Sequence, residues 1–502
     1  MSSQANVKVV RGGRVLDRAQ HRAEPADILI EGSRIVAITA PGGAAPEGAQ
    51  VIDASDRLLM PGLINAHTHS HGGLGKGAGD RWTLELLLHA ARWLSGFRTP
   101  EYMYLSALVG ALEMVRKGCT ACYDLFLEWP LPSPEGVEAI GRAYAEVGMR
   151  AVLAPMTADR TFYQAIPGLL EAMPAALRRD LEAVHMQPGG AIIEACRTML
   201  KQAPSEQSRL RLALAPTIPL HCADDVIRAH HDLAQDYGVG LHMHLAESKV
   251  QAVAGLQRYG TTLTAHLDKL GVLGPHFTAA HAVWLDADDM RRLADNGASV
   301  AHNPGSNLRL GSGIAAVHEM LQAGVNVGIG TDGANCSDNQ NMFEALRLAS
   351  FVSRVRSHDY RTWLTTEQAL LMATEGSARA LGLGDDIGRL APGYKADIVF
   401  LDLNHVNFLP LNDPTHQLVH TEDGSAVDSV LIDGDIVLWH GRFPGIDLAA
   451  VRSRIEAARQ DLAVKSHATR QAAEVLEAHI GQFCIGLSRQ PYHVHALAGA
   501  DY

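Results

Sequence analysis

The sequence predicts an α/β protein: a (β/α)8 barrel of the TIM type, with a small β-sandwich domain formed by the N- and C-terminal flanks. Three observations predict this fold. Between residues 59 and 387, eight short apolar runs rich in β-forming residues alternate with helix-like amphipathic stretches. Five of these runs carry a histidine or aspartate near their C-terminal end, where barrels place their active sites. The chain on either side is β-rich and alternating instead.

The composition is that of an ordinary globular protein and argues against several classes of partner. Of the 502 residues, 47% are hydrophobic and 20% are charged, which is untypical of charge-driven disorder. A formal net charge of −12 argues against nucleic acids and acidic membranes as partners, because both need a basic face. We find no apolar run of membrane-spanning length, no signal-peptide pattern and only six scattered cysteines. We therefore expect a soluble, cytoplasmic protein.

The eight apolar runs are the predicted barrel strands. Helical stretches separate them, such as residues 100–118 and 223–238, and the second of these closes on Gly238 as helices often do. In chain order the runs are LINAHTHS, TACYDLF, RAVLAPMTA, LRLALAPTI, GVGLHMHLAE, FTAAHAVWL, ASVAHNPGSN and NVGIGTDGA. This alternation predicts one barrel over residues 59–387.

The flanks predict the remaining domains. Residues 1–58 alternate apolar and polar side chains between Gly and Asp turns, and residues 388–446 repeat that texture. We expect these two segments to share one small β domain. Residues 447–502 read as a helical extension and tail, with the helix over 447–485. Because its polar face mixes both signs of charge, this helix is expected on the surface or at an interface.

Side chains that bind metals follow several of the predicted strands. His67 and His69 are two residues apart in the first run, so both imidazoles can point to one side of the strand. The ends of the fifth and eighth runs, HMHLAE and GTDG, add His242, His244, Glu247 and Asp332. Three imidazoles and a carboxylate suit Zn²⁺, or Fe²⁺ as a second choice, with one position left for water. The sequence therefore predicts a metal site at the strand ends.

Other metal-like or redox-like patterns are interpreted as structural. His71 lies beyond the first strand in a glycine-rich turn and is not counted as a ligand. Cys119 and Cys122 have C-x-x-C spacing, but the sequence has no second pair and the segment reads as a strand, which favours packing. His493 and His495 follow no apolar strand, so we expect them in an exposed tail.

The same motifs resemble a known family. PGLINAHTH, HMHLAES, AAHAVWL, AHNPGSNLRLGSG, GIGTDGA and APGYKADIVFLD are similar to those of the amidohydrolase superfamily, in its cytosine, guanine and adenosine deaminase-like branch. That branch includes the triazine hydrolases and S-adenosylhomocysteine deaminase. The motifs span nearly the whole chain and are jointly specific for the branch, though not for a substrate. Since members are often oligomeric, the resemblance also implies a homo-oligomer.

The resemblance implies a role for each motif residue. The implied metal ligands are His67, His69, His244 and Asp332. It makes Glu247 the proton shuttle and His281 the residue that holds the substrate's polar group or the attacking water. A bound metal lowers the pKa of its water, which provides hydroxide near neutral pH. Asp332 can then accept the water's proton, and Glu247 can protonate a ring nitrogen and assist the leaving group.

One departure from other superfamily members bears on the number of metals. Binuclear members carry a carbamylated lysine on the fourth strand, whereas the corresponding run here, RLRLALAPTIPLHC (209–222), contains no lysine. The resemblance therefore implies one divalent metal per chain. It also favours attack on a C–N bond of a heterocycle over hydrolysis of a hydantoin or a phosphotriester.

The residues that contact the substrate are harder to predict. His302 and Asn307 end the seventh run and are either substrate-binding residues or loop caps. Trp82 could stack on a flat ring, or it could anchor the following helix. His221 and Cys222 follow the fourth run, and the sequence does not decide whether they face the pocket.

We therefore expect a metal-dependent aminohydrolase. It would use metal-bound hydroxide to remove ammonia or a substituted amine from a small purine-, pterin-, pyrimidine- or triazine-like substrate. An alternative of the same class expels chloride or another non-amine group from such a ring. An alternative of another class is a catalytically silent binding protein on this fold, although such a protein has no chemical need to keep every ligand and Glu247.

Overall fold

The structure is a computed structural model that describes residues 7–202 and 209–497. Its strands, in chain order, are β1 (Val7–Asp17), β2 (Arg22–Glu31), β3 (Arg34–Thr39), β4 (Gln50–Asp53), β5 (Arg57–Pro61), β6 (Leu63–Thr68), β7 (Cys119–Phe126), β8 (Arg150–Thr157), β9 (Leu210–Leu212), β10 (Ala215–Pro216), β11 (Leu241–Leu245), β12 (Phe277–His281), β13 (Ser299–His302), β14 (Asn326–Ile329), β15 (Ile398–Asp402), β16 (Val427–Ile432) and β17 (Asp435–Leu438).

Helices lie between the central strands, and a long helix lies near the C-terminal end of the described chain. They are α1 (Leu84–Ser95), α2 (Pro100–Arg116), α3 (Pro134–Val147), α4 (Phe162–Ala165), α5 (Ala175–Glu182), α6 (Gly189–Lys201), α7 (Asp224–Tyr237), α8 (Lys249–Tyr259), α9 (Leu263–Leu270), α10 (Ala287–Asp295), α11 (Pro304–Arg309), α12 (Val317–Gln322), α13 (Met342–Arg356), α14 (Thr366–Leu371), α15 (Ser377–Ala380), α16 (Pro414–His420) and α17 (Leu448–Ser488). Gly238 ends α7 in the left-handed conformation, as predicted for a helix C-terminus.

Strands β6–β14 form the predicted barrel. Two groups of parallel strands, β6–β10 and β11–β14, are joined on one side by a bridge between Leu214 and Leu241. On the other side the backbone N–H of Asp332 donates to the carbonyl of His67 at 2.9 Å. Each of the eight predicted runs contains a strand, and the fourth is split into β9 and β10. Every residue of β6, β7, β11 and β12 is buried, as continuous apolar runs indicate.

The two flanks combine into one small β domain, as predicted. Its eight-stranded sheet has the order β17-β16-β15-β5-β1-β2-β3, and β4 pairs with β1. The two flanks meet where β15 runs antiparallel to β5, with Phe400 opposite Leu59. Apolar side chains of both flanks then fill one core, which includes Val10, Ile28, Ile30, Leu59, Ile398 and Phe400. Neither flank can bury this surface alone, so each requires the other.

The C-terminal extension packs against the barrel domain. Helix α17 begins at an Asp447 cap and continues three residues beyond the predicted end. Its buried stripe lies on one face and packs against α1, where one ring nitrogen of His89 hydrogen-bonds to the carbonyl of Ala473 at 2.9 Å. His493 and His495 are exposed, as predicted, but the tail is held in place. The backbone N–H of Ile314 donates to the carbonyl of Ala496 at 2.6 Å, and Ala496 is buried.

The cysteines behave as packed thiols. All six are free and buried, and burial raises the pKa of Cys119 to about 12. Cys122 lies on the same fully buried strand, β7, which agrees with packing inside a strand. Within the described residues, no helix combines the length and the apolar composition needed to cross a membrane.

Candidate active site and metal centre

Four predicted side chains converge at the C-terminal end of the barrel. His67 and His69 lie at the end of β6, His244 lies in β11, and Asp332 lies three residues beyond the end of β14. Nε2 of His69 lies 3.0 Å from Oδ1 of Asp332, and Nε2 of His67 lies 3.5 Å from the same oxygen. Nε2 of His244 lies 3.2 Å from Nε2 of His69. The parallel strands thus bring together residues that are far apart in the sequence.

In His69 and His244, the ring nitrogen that faces away from the cluster hydrogen-bonds to a backbone carbonyl. Nδ1–H of His69 donates to the carbonyl of Leu125 at 2.5 Å, and Nδ1–H of His244 donates to the carbonyl of Thr217 at 2.8 Å. Such partners fix the tautomer of a histidine ligand and the orientation of its ring. The Nε2 lone pairs of both imidazoles therefore face the centre of the cluster. This arrangement is the one that a metal ion requires.

The protonation states of these side chains also suit a divalent metal. Burial lowers the pKa of His67 to about 3 and that of His244 well below its usual value, so both imidazoles are neutral and can act as ligands. Burial alone would raise the pKa of Asp332, but the neighbouring imidazoles of His67 and His69 hold it well below its usual range. Within the described chain, Nε2 of His67 is buried without a hydrogen-bond partner. Burial lowers the pKa of His69, but the hydrogen bond and the charge of Asp332 outweigh burial and raise it, so a metal bound there would displace a proton. Three imidazoles around one carboxylate are a donor set for zinc.

Glu247 and His281 lie beside this cluster. Glu247 is only 1% exposed, and its Oε2 is buried without a hydrogen-bond partner among the described residues. Nε2 of His281 lies 3.7 Å from that oxygen and 3.8 Å from Oδ2 of Asp332. Nδ1–H of His281 donates to Oδ1 of Asn307 at 2.8 Å. The pKa of Glu247 is raised well above its usual value, mainly by burial and to a smaller extent by the negative charge of Asp332.

Unusual backbone geometry directs these side chains. His281 and Asp332 have φ angles of 69° and 61°, and Ala246, next to Glu247, has 46°. Residues with a Cβ rarely adopt this left-handed region, and such strain is concentrated at functional sites. Each strained residue lies at or just beyond the end of a barrel strand. The chain turns sharply there, which places the polar side chains over the mouth of the barrel.

A cavity of about 210 Å³ opens onto the cluster. His69, His244, Glu247, His281 and Asp332 form its floor. Its walls are mostly apolar and come from α1, the loop after β7 and the segment after β8; they include Leu84, Leu87, Leu88, Leu131, Met156 and Phe162. A concave, mostly apolar pocket with a few convergent polar groups is typical of a site for a small molecule.

Comparison with known proteins agrees with this geometry. Residues 58–437 match the model of the amidohydrolase family. The chain belongs to this family. It is 33% identical over 458 residues to the 5'-deoxyadenosine deaminase of Methanothermobacter thermautotrophicus, covering 90% of this chain and 98% of the relative. It is 34% identical over 419 residues to a 5-methylthioadenosine/S-adenosylhomocysteine deaminase of Moorella thermoacetica, covering 83% of this chain and 90% of the relative.

Solved structures of other amidohydrolases share the fold. The triazine hydrolase of Arthrobacter aurescens superposes with a TM-score of 0.81 at 27% identity, over 90% of this chain and 99% of that one. An adenosine deaminase from Xanthomonas campestris, solved with bound zinc, superposes with a TM-score of 0.77 at 26% identity, over 91% of this chain and 98% of that one. These comparisons confirm the predicted family and enzyme class, a hydrolase of carbon–nitrogen bonds other than peptide bonds.

The structure places the remaining predicted residues of this amidohydrolase away from the cavity wall. Trp82 does not line the cavity but packs edge-on against Trp93, with ring centroids 6.0 Å apart, so it anchors α1. Asn307 lies behind His281 and binds that imidazole instead of facing the cavity. His302 is buried beside them, and burial lowers its pKa to about 3. None of these three residues lines the cavity, and their predicted contacts with substrate stay a prediction.

Two residues that the sequence left undecided or did not single out line the cavity. His221 contributes to the wall, whereas Cys222 is absent from the lining. Trp129, in the loop after β7, is 40% exposed at the cavity wall. Its segment, WPLP, comes soon after the end of β7, but that position alone does not indicate a side chain that faces the cavity. Trp129 is the candidate for the stacking role that we predicted for Trp82.

Proposed function

We propose that this amidohydrolase is a metal-dependent aminohydrolase that removes ammonia or a substituted amine from an aminated nitrogen heterocycle. One observation carries the proposal. Glu247 lies buried beside the ligand cluster, faces the cavity, and keeps an oxygen free of any hydrogen bond from the described residues. A carboxyl group in this position is available to a substrate's ring nitrogen. A metal-binding barrel without catalytic function has no need of such a group.

His67, His69, His244 and Asp332 would hold one divalent metal, with zinc as first choice and iron as second. When bound, such a metal acts as a Lewis acid and lowers the pKa of a water molecule towards neutrality. Zinc is supported by the solved relatives, since both the adenosine deaminase and a triazine-family chlorohydrolase were solved with it. A single site is supported by RLRLALAPTIPLHC, which offers no lysine to bridge a second ion.

The side chains around the cavity floor would then move the protons. Asp332, held ionised, can take a proton from the attacking water. Glu247, whose raised pKa favours the protonated form, can donate to a ring nitrogen and so make the adjacent carbon electrophilic. His281 donates from Nδ1 to Asn307, so its Nε2 is a free acceptor for the water or for the substrate. Departure of the amine requires one more proton, which Glu247 or Asp332 can return.

Ammonia release is the direct test. Zinc-loaded protein is incubated with adenosine, 5'-deoxyadenosine, 5-methylthioadenosine, S-adenosylhomocysteine, free aminopurines, aminopterins, cytosine and amino-triazines, and ammonia and the deaminated ring are quantified together. Protein carrying Glu247→Gln provides the matched control. Stoichiometric ammonia from at least one ring, abolished in the control, is the expected outcome. No product from any ring, in protein with a full complement of zinc, would contradict the proposal.

A second candidate function is hydrolytic loss of chloride from an electron-poor ring. It is favoured by one observation, the likeness to the triazine hydrolase and to an atrazine chlorohydrolase of Arthrobacter aurescens with a TM-score of 0.79. The same acid group and water serve either leaving group. Including chloro-triazines in the panel and measuring chloride beside ammonia separates the two functions.

We also propose that the protein works in the cytoplasm as a homo-oligomer. Six free, buried thiols suit a reducing compartment.

The homo-oligomer is supported by exposed apolar side chains on α17, including Val464 and Val475, which offer surface for a second copy. Light scattering after size-exclusion chromatography measures the mass, and a monomer at all concentrations would contradict the oligomer.

A further inference from the structure

A second group of metal-binding side chains lies in the small β domain and its neighbouring helix. Nδ1 of His21 and Nδ1 of His416 each lie 3.2 Å from the same oxygen, Oδ2 of Asp413. One ligand atom from each of the three residues lies within 4.8 Å of the other two. The two imidazoles approach edge to face, with ring centroids 5.1 Å apart. The three residues therefore surround one small space.

The backbone holds each of these residues in place. His21 lies in the turn between β1 and β2 with a left-handed φ of 51°. Asp413 caps α16: its Oδ1 accepts from the backbone N–H of His416 at 2.9 Å. This cap uses one carboxylate oxygen and leaves Oδ2 for the two imidazoles. The cluster thus forms without distorting either the hairpin or the helix.

The geometry fits a metal better than a pair of hydrogen bonds. Zinc bonds of about 2.0–2.1 Å in a tetrahedral site place neighbouring ligand atoms roughly 3.4 Å apart, close to the 3.2 Å seen twice here. Nδ1 of His21 is buried, yet it makes no hydrogen bond to any described residue, Asp413 included. A buried ring nitrogen with its lone pair unused points to a missing partner.

The pair of His440 and Asp428 shows the contrast. There a single imidazole contacts a single carboxylate, with Nδ1 hydrogen-bonded to Oδ1 at 3.2 Å and to Oδ2 at 3.1 Å. Asp428 also accepts from the guanidinium of Arg57 and from the hydroxyl of Ser429, so its oxygens are satisfied without an ion. In the cluster of His21, Asp413 and His416, two imidazoles share one oxygen, so an ion between the three atoms would satisfy all of them.

We propose that His21, Asp413 and His416 form a second, non-catalytic zinc site. Two imidazoles and a carboxylate are zinc ligands, and the partial exposure of His416 leaves room for water as a fourth. The site joins the β1–β2 turn to α16, so bound zinc would link two segments that are distant in the sequence. It would stabilise the fold, since an ion that binds only the native state raises the melting temperature. The reaction at the barrel does not depend on it.

Zinc counting on tag-free protein tests this site. The protein is stripped with a chelator, reloaded with micromolar zinc, desalted and analysed for metal, with His440→Ala as the matched control. We expect about two zinc ions per chain in the wild type and in the control, and about one in the double variant His21→Ala, His416→Ala. Deaminase activity of the double variant should be unchanged.

A second background isolates the site from the barrel. His69→Ala removes a ligand of the catalytic cluster, so zinc retained by that variant, and any rise of its melting temperature with zinc, belongs to the cluster in the small domain. Adding His21→Ala and His416→Ala should abolish both. Wild type that keeps only one zinc, equal loss in the His440→Ala control, or binding that appears only at millimolar zinc would overturn the proposal. Because the readout is metal content, failure here is distinguishable from failure of the proposed activity.

Discussion

Nδ1 of His67 faces Nε2 of His242 across 3.2 Å inside the barrel, where both imidazoles are fully buried. With its Nε2 directed at the metal centre, His67 donates from Nδ1 and His242 accepts. His242 is therefore the partner that orients a ligand. The edge of its ring packs against Tyr123, with centroids 4.5 Å apart.

We predict that His242→Ala weakens zinc binding about 10–100-fold, the effect that loss of such an orienting partner usually has. Competition with a fluorescent zinc chelator measures the affinity, and the melting temperature of the stripped protein checks the fold. Tyr123→Phe is the control: its hydroxyl is buried without a partner among the described residues, so its removal should leave zinc affinity unchanged. Equal affinity in His242→Ala and wild type would refute the orienting role.

Replacing His67 or His69 with alanine should remove most of the catalytic metal and nearly all turnover. Each supplies an imidazole to the same cluster, and the two close a chelate from one strand. Metal analysis of each variant and kcat on the best substrate provide the check, with His440→Ala as comparison, since His440 is absent from the cavity lining. A His69→Ala protein with full barrel-site zinc and normal turnover would remove the basis of the assignment.

Asn307→Ala should lower kcat about fivefold while metal content stays normal. The variant loses the acceptor for Nδ1–H of His281, and one such hydrogen bond contributes on the order of 1 kcal/mol. Asn307→Asp keeps an acceptor oxygen and should retain more of the turnover. Steady-state kinetics and zinc analysis on the same preparations decide this. Unchanged kcat in Asn307→Ala would mean that the orientation of His281 does not depend on this contact.

Stability should fall in acid partly through His230. Nδ1–H of this buried imidazole donates to the carbonyl of Val226, Nε2 accepts from the hydroxyl of Thr157, and burial lowers its pKa from 6.5 to about 4. The native state thus binds this proton less readily than the unfolded chain does. The stabilisation is complete above pH 6.5 and is lost between pH 6.5 and 4, to a total of about 3 kcal/mol.

Urea unfolding at several pH values measures this contribution. His230→Gln should show a shallower decline of the unfolding free energy between pH 6.5 and 4 than the wild type. His231 lies on the same helix and hydrogen-bonds to Gln235 at an exposed position, so His231→Gln is a suitable control. Its unfolding free energy should decline with the same slope as in the wild type. Parallel curves for wild type and His230→Gln would contradict the prediction.

Much of the fold and the metal cluster could be predicted from the sequence, for physical reasons. Barrel strands buried on both faces read as continuous apolar runs, and ligands at their C-terminal ends converge because parallel strands end at one edge. His67 lies in β6 and His69 just beyond it in extended backbone, so their spacing alone predicts a common side. The identity of Glu247 as the free carboxylate depended on the family resemblance.

The remaining contacts are set by loops and by long-range packing, which the sequence does not encode locally. Trp82 and Trp129 each follow a strand end, and nothing in either segment indicates which one turns towards the cavity. Asn307 binds His281 through a loop geometry that only the fold defines. His21 and His416 are separated by most of the chain, so no spacing rule could join them. The burial of Ala496 depends in the same way on Ile314, far away in sequence.

Glu247→Gln tests the central claim most directly. The amide is nearly isosteric and can still hydrogen-bond a ring, but it cannot transfer a proton. Metal content, melting temperature and kcat are measured on one preparation of variant and wild type. The account predicts full zinc, an unchanged or slightly higher melting temperature, and turnover reduced by at least ~10²–10⁴-fold. Normal turnover in a protein with full zinc would contradict the account, because Glu247 would then have no part in moving the proton.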